Sequence, residues 1–159
     1  MKNVFNFSIS GVIALFATVL FHTTVAAQYS TVGYSNSSTS SSAYLLSSIK
    51  TKMAMAGYSL ASDDYFTIRE GEVKIKNRSF YSSSDYVVIV LPTEDGVNDL
   101  DLYLCDSYGN AIVKDDDHSS TAMVRYSPYT ERNAVIKVKN QDSNRLGYGY
   151  DAHLLIFYK

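Results

Sequence analysis

The sequence predicts a mainly β protein, an antiparallel β-sandwich of about eight strands with one N-terminal α-helix. Beyond Gly57, apolar and polar residues alternate along one segment after another, which is the period of a half-buried strand. Turn-forming Gly, Pro, Ser and Asp residues separate these segments at intervals of about ten residues. No helical pattern recurs between the segments, so a parallel α/β sheet is excluded.

Residues 1–27 have the pattern of an export signal. Lys2 supplies positive charge, residues 12–20 form an apolar core of nine residues, and Val25-Ala26-Ala27 places small side chains before a cleavage site. A membrane-spanning helix needs about 20 apolar residues, so we expect cleavage after Ala27 rather than a retained anchor. We therefore expect a bacterial protein that is secreted or periplasmic.

The composition of the residues after position 27 limits the classes of protein to which the chain could belong. Without residues 1–27, the chain has 132 residues, enough for one domain with its own core. These residues carry 13 basic and 16 acidic side chains, a net charge of −3, which argues against binding nucleic acid through its phosphates. No second apolar stretch follows, so we expect no membrane insertion after cleavage.

Two segments precede the predicted sandwich. Residues 28–42 are rich in Ser and contain too little apolar surface to offset the entropy of ordering, which predicts a linker. Residues 43–57 predict an amphipathic helix, with Ser42 as its N-terminal cap and Gly57 at its C-terminal end. Its apolar stripe is formed by Leu45, Leu46, Ile49, Met53 and Ala56. We expect this stripe to pack on the sheet, with docking to a partner as the alternative.

Residues 58–159 contain the predicted strands. These are residues 65–68, 73–80, 86–91, 100–105, 111–114, 122–126, 134–140 and 150–157. The segment 98–110 is the most informative, because Leu100, Leu102 and Leu104 share one face of a strand while Asp99 and Asp101 share the other. The turn residues that follow predict a hairpin with carboxylates at one rim of the domain.

The carboxylates are the best candidates for a metal site. Asp99 and Asp101 lie on one face of a strand, and Asp115 and Asp117 follow the next strand. The start of the first strand of a hairpin lies near the end of the second, so these four side chains are expected to converge. Hard oxygen ligands suit Ca²⁺, which makes calcium the candidate cofactor. The alternative is that these are ordinary solvated carboxylates of strand ends and turns.

Tyrosine is the other candidate for a binding residue. The chain contains 14 Tyr and no Trp. Tyr108, Tyr129 and Tyr148 lie in predicted loops, where a flat ring with a hydroxyl suits contacts with sugar rings or with a protein. Most of the other tyrosines are expected to cover half-buried faces of the sheets.

Catalysis has weak support in the sequence. Beyond residue 27 the only histidines are His118 and His153, and no nucleophile elbow, phosphate-binding glycine loop or His/Cys metal spacing is present. We therefore predict that the protein is not an enzyme. Cys105 is the only cysteine, which excludes an intramolecular disulfide; it is either a small packed residue or one partner of an intermolecular disulfide.

The order of these features from Tyr65 to Tyr158 resembles the bacterial pre-peptidase C-terminal domain family. The resemblance is carried by Tyr-Val-Val-Ile-Val at residues 86–90, the Asp-Leu-Asp-Leu-Tyr-Leu-Cys-Asp-Ser-Tyr-Gly-Asn segment at 99–110, the acidic run 115–117 and the closing Gly-Tyr-Gly-Tyr. It implies a jelly-roll-like sandwich, an accessory role outside the cytoplasm and no catalysis. Some relatives hold calcium at comparable rims. Residues 129–133 depart from the Gly-Thr-Tyr-like turn usual in this family.

Together these observations predict an exported, non-catalytic binding or accessory module that recognises a protein or a surface polysaccharide, with calcium as a potential aid. One alternative is a structural subunit that oligomerises through its N-terminal helix or through Cys105. A second alternative is a secreted hydrolase that depends on His118 or His153.

Overall fold

The computed structural model describes residues 39–159, with their side chains from residue 42 onward. The predicted export signal and residues 28–38 of the predicted linker lie outside the described residues. The described chain begins with α1 (Thr39–Met55). Eight strands follow: β1 (Ser59–Arg69), β2 (Val73–Phe80), β3 (Tyr86–Pro92), β4 (Val97–Cys105), β5 (Ala111–Asp115), β6 (Ala122–Tyr126), β7 (Arg132–Ser143) and β8 (Gly149–Tyr158).

The strands form two antiparallel four-stranded sheets. The first sheet has the order β1-β8-β3-β6 and the second has the order β2-β7-β4-β5. Among the described connections, only the β4–β5 hairpin stays within one sheet, and the others cross between sheets. This is the strand order of a jelly roll, so the predicted fold class is confirmed.

The core lies between the two sheets and is built mainly from alternate residues of β3, β4, β6, β7 and β8. Leu100, Leu102 and Leu104 of β4 are fully buried in it, as their spacing predicts. β3 is buried on both faces: Val88 and Val90 face this core, whereas Val87 and other alternate residues face outward beneath α1. This position explains why β3 reads as a continuous apolar run.

α1 covers the outer face of the first sheet. Leu46, Ile49 and Met53 pack against a second buried cluster that includes Leu155 and Phe157. Packing of the helix stripe on the sheet is therefore confirmed. The packed face of the helix differs slightly from the predicted stripe, since Leu45, a predicted member, remains 43% exposed.

The ends of α1 differ from the prediction by a few residues. The helix starts at Thr39, so the last four residues of the predicted linker are helical. A short run of Thr and Ser costs only a few tenths of a kcal/mol per residue in a helix, which is too little to stop it. Gly57, with φ of 82°, closes the helix as predicted. The Tyr58 N–H donates to the Met53 carbonyl at 2.9 Å in the pattern of a glycine-terminated helix.

The loops fall into two groups at opposite ends of the sandwich. Tyr86, at the start of β3, pairs with both Tyr126 and Tyr158 at the ends of β6 and β8. From the second sheet, Phe80 at the end of β2 contacts the rings of Tyr86 and Tyr126. β2 and β4 both end beside the start of β7. This end, which we call the tyrosine end, carries the loops 81–85, 106–110 and 127–131.

The opposite end of the sandwich carries the loops 70–72, 93–96, 116–121 and 144–148, and we call it the acidic end. Strands β4 and β7 meet there, and the carboxylates of Asp99 and Asp142 lie close to it. Within residues 39–159, no helix has both the length and the apolar character needed to span a bilayer.

Candidate functional site

Strand β4 places its carboxylates on the outer face of the second sheet. Leu100 and its alternate neighbours face the core, so Asp99, Asp101 and Tyr103 face the other way. The register of β4 against β7 shifts on both sides of Asp99, whose partner across the strands is Asp142. Such an irregularity interrupts the ladder and re-aims a side chain, and it is common beside functional sites.

These side chains line an open cleft of about 720 Å³, which we call the acidic cleft. Its lining consists of Asn98, Asp99, Asp101, Tyr103, Asp116, His118, Gln141 and Asp142. The loop 116–121 forms one wall and is tied to β4, because the Leu100 N–H donates to the Ser119 carbonyl at 2.8 Å. Three separate segments of the chain therefore build the cleft: β4, the end of β7 and the β5–β6 loop.

Asp101 is a satisfied carboxylate at the base of the cleft. Only 1% of Asp101 is exposed to solvent. Its Oδ2 atom accepts hydrogen bonds from the Tyr103 hydroxyl at 2.9 Å and from Gln141 Nε2 at 2.5 Å. Burial, followed by the hydrogen bond to Asp101, raises the pKa of Tyr103 to about 12. Tyr103 therefore remains a neutral donor that holds Asp101 in place.

Asp99 is different, because one of its oxygens has no partner. The residue is 6% exposed, and its Oδ2 atom lies 2.8 Å from His118 Nδ1. Its Oδ1 atom is buried and has no hydrogen-bond partner among the described residues. A buried acceptor without a donor costs about 1–3 kcal/mol, so this atom is the least satisfied polar group of the cleft.

Among the described residues that line the cleft, His118 is the only basic one. Its side chain is 97% exposed, so little packing holds the imidazole against Asp99. The hydrogen bond that His118 donates to Asp99 raises the pKa of His118 above its ordinary value, and the charges of Asp101 and Asp117 act in the same direction. The imidazole is thus loosely held on the exposed side of Asp99, where the carboxylate favours its charged form.

The four carboxylates predicted to converge do not all reach one point. Asp99 and Asp101 line the acidic cleft, whereas Asp115 and Asp117 do not. Asp115 instead accepts the Met123 N–H at 2.8 Å, which ties the end of β5 to β6. Within the described part of the chain, no three His, Cys, Asp or Glu side chains are arranged to hold a metal ion. Calcium binding itself stays a prediction.

Sequence reasoning missed the partners that complete the cleft. Asn98, Gln141 and Asp142 reach it because β4 and β7 are neighbours, and Asp116 because its loop bends over β4. Gln141 lies 40 residues from the carboxylate that it holds. No local signal extended the predicted strand, since Gln-Asp-Ser at 141–143 is entirely polar and breaks the burial alternation of β7.

The three tyrosines predicted as ligand-binding residues do not form one surface. Tyr108 and Tyr129 are almost fully exposed and lie at the tyrosine end. Tyr148 lies at the acidic end, where its ring stacks edge-on against Tyr150 at 4.8 Å. Tyr81, which the sequence did not single out, is 53% exposed in the loop 81–85 and joins Tyr108 and Tyr129 at their end.

His153 belongs to the contact between α1 and the first sheet. Its Nδ1 atom lies 2.5 Å from Asp63, and Lys50 of α1 pairs with the same carboxylate at 2.7 Å. The ring of Tyr65 meets the imidazole edge-on at 5.2 Å. Through these contacts, His153 helps to hold α1 against β1 and β8.

The two features proposed for oligomerisation differ in the structure. Cys105 is 3% exposed, which leaves its thiol inaccessible to a second molecule. In α1, Leu46, Ile49 and Met53 pack on the first sheet, whereas Tyr44, Leu45 and Met55 are exposed. Oligomerisation through the helix therefore stays a prediction.

Comparison with known proteins adds no family to this description. No protein-family model matches the chain. No curated protein is significantly similar to it in sequence. The resemblance to the pre-peptidase C-terminal domain family therefore stays a prediction.

Proposed function

We propose that the protein is a non-catalytic binding module that recognises a surface polysaccharide through the acidic cleft. One observation carries this proposal: Asp99 lines an open cleft, yet no residue between 39 and 159 donates a hydrogen bond to its buried Oδ1 atom. A ligand hydroxyl that reached this atom would supply the missing donor. Binding would thereby relieve an unfavourable feature of the free protein.

The lining of the cleft favours a sugar among polar ligands. Asn98, Asp99, Gln141 and Asp142 present planar amide and carboxylate groups, and Tyr103 adds an aromatic ring beside them. Such groups provide the directional acceptors, donors and apolar contact that ring hydroxyls and sugar faces require. A volume of about 720 Å³ lies within the range of small-ligand sites, which is about 300–1,000 Å³.

The same hydrogen bonds argue for binding without hydrolysis. Hydrolysis of a glycosidic bond requires one carboxylic acid that donates a proton and a second carboxylate that acts as base or nucleophile. Tyr103 and Gln141 both donate to Asp101, and His118 is bound to Asp99. The other two cleft carboxylates are also engaged, because Asp116 pairs with Lys114 and Asp142 accepts a hydrogen bond from Asn98 Nδ2 at 3.0 Å. None of the four carboxylates is therefore arranged as the proton donor that hydrolysis needs. The cleft lining also contains no Ser, Thr or Cys nucleophile.

An exported protein would meet such a polymer outside the cytoplasm. The pattern of residues 1–27 supports export, although these residues lie outside the described part of the chain. If calcium takes part, Asp99 and Asp101 are the predicted ligands that lie in the cleft, and Asp115 is already engaged.

A glycan array probed with the purified protein tests this proposal. We expect a subset of glycans to bind wild-type protein and to be lost in Asp99→Asn, which keeps the shape of the side chain. Glu131→Gln is the matched control, because it removes one negative charge from an exposed loop at the tyrosine end. It should bind as wild type does.

The same array also contains the results that would refute the proposal. Binding that survives Asp99→Asn but is lost in the double variant Tyr108→Ala/Tyr129→Ala would move the site to the tyrosine end. An absence of binding to every glycan would remove polysaccharide as the ligand class.

A further inference from the structure

Resting on the proposed function, we infer that the ligand is a polysaccharide with free amino groups, and that a sugar ammonium displaces His118 from Asp99. The charge of the lining, the exposure of His118 and the geometry of the carboxylates support this selection.

The lining of the cleft carries an excess of negative charge. Asp99, Asp101, Asp116 and Asp142 lie in it, against His118 alone. Lys114 at the rim pairs with Asp116 and compensates one of these charges. Lys139 lies opposite Asp101 across the strands, but it neither lines the cleft nor forms an ion pair with a cleft carboxylate among the described residues. The cleft therefore has a deficit of positive charge that a cationic ligand would fill.

His118 shows where the ligand nitrogen would lie. Its Nδ1 atom is 2.8 Å from Asp99 Oδ2, so a nitrogen donor already occupies one side of this carboxylate. Because the side chain is 97% exposed, its rotation away from Asp99 breaks this hydrogen bond but loses few packing contacts. An ammonium in its place carries three N–H donors, enough to reach the unpartnered Oδ1 atom as well as Oδ2.

An organic cation fits these carboxylates better than a metal ion. Calcium takes about six to eight oxygen ligands, whereas an ammonium is satisfied by about three acceptors. No set of three His, Cys, Asp or Glu side chains within residues 39–159 is arranged around a metal position. Hydrogen bonds between charged partners are about twice as strong as those between neutral ones, so the cleft should discriminate an amino sugar from its acetylated form.

A matched pair of oligosaccharides tests the inference by calorimetric titration of the purified protein. The probes are a glucosamine oligomer and an N-acetylglucosamine oligomer of equal length, titrated at about pH 6, where the free amine is charged. We expect the glucosamine oligomer to bind at least about tenfold more tightly, in keeping with one charge-assisted contact. Asp99→Asn should remove this preference, and Glu131→Gln should keep it.

His118→Ala provides a test that does not depend on a buried substitution. Because His118 is exposed, its removal leaves the fold intact and frees Asp99 Oδ2. We expect this variant to bind the glucosamine oligomer several-fold more tightly than wild type does. Weaker binding would show that His118 contacts the ligand directly, and it would overturn the displacement that we infer.

Further outcomes separate this inference from the proposed function. Equal binding of the two oligomers, abolished by Asp99→Asn, would refute selection for an ammonium and leave the polysaccharide site in place. Tighter binding of a lysine-rich peptide than of the glucosamine oligomer would overturn the choice of polymer. Competition of the glucosamine oligomer by calcium chloride at Asp99 would identify a metal site and refute the organic cation.

Discussion

Asp99 and Asp101 are two residues apart on one face of one strand, yet their carboxylates are in different states. Within the described part of the chain, Tyr103 and Gln141 hold Asp101, whereas the Asp99 carboxylate contacts His118 alone and keeps one unpartnered oxygen. The alternation of β4 predicts that both residues share a face, because that depends on strand period alone. It does not predict which of them is satisfied, since Gln141 comes from a distant strand.

The titration of His118 tests the contact with Asp99. We expect NMR titration to give a pKa for His118 above 6.5, since Asp99 stabilises the imidazolium, and to return it toward that value in Asp99→Asn. Glu131→Gln should leave the pKa of His118 as in wild type. A His118 pKa at or below 6.5 in the wild-type protein would contradict the hydrogen bond.

The raised pKa of His118 also predicts how the stability of the fold depends on pH. Because the pKa of His118 is raised on folding, its contribution is fully present below the pKa of the unfolded chain. The contribution is lost as pH rises through the folded value. The difference in thermal stability between wild type and His118→Ala should therefore shrink from acidic to alkaline pH.

At the scale of elements, the strand pattern predicts where segments lie better than where they end. The bounds of β2 and β6 match their predicted ranges. Alternation covers β6, whereas in β2 it stops at Ile75 and the buried Phe80 marks the end of the strand. β1 instead begins at Ser59, six residues before its predicted start. Its first half contains Ser62, Asp63 and Asp64, which read as a loop in the sequence but pair with β8. Pairing between distant strands overrides this local preference.

The packed face of α1 is testable by two substitutions of similar chemistry. Ile49→Ala removes a side chain packed on the first sheet and should lower the free energy of unfolding by about 1–2 kcal/mol. Leu45→Ala is the control, since Leu45 is 43% exposed, and should cost less than about 0.5 kcal/mol. Chemical denaturation measures both values. A larger loss of stability in Leu45→Ala than in Ile49→Ala would show that Leu45 lies within the packed stripe, as the sequence alone predicts.

At the scale of the whole molecule, the jelly roll creates the site by bringing distant segments together. The fold class and the approximate positions of all eight strands are predictable, because short segments with strand-forming apolar residues recur between turn residues. The order of strands in a sheet is not local, and the cleft depends on it. Asp99, His118 and Gln141 meet only because β4 lies between β7 and β5. The sequence therefore predicts Asp99 and Asp101 as candidate site residues, but it does not predict which side chains surround them.

The central claim is that the acidic cleft around Asp99 is the ligand-binding site. Chemical-shift mapping of the backbone amides tests it directly, with a fragment of the glycan that binds most strongly on the array. We predict that the largest shifts occur at Asn98, Asp99, His118 and Gln141, with the loops 106–110 and 127–131 unchanged. Shifts concentrated in those two loops, with the cleft unaffected, would contradict the account.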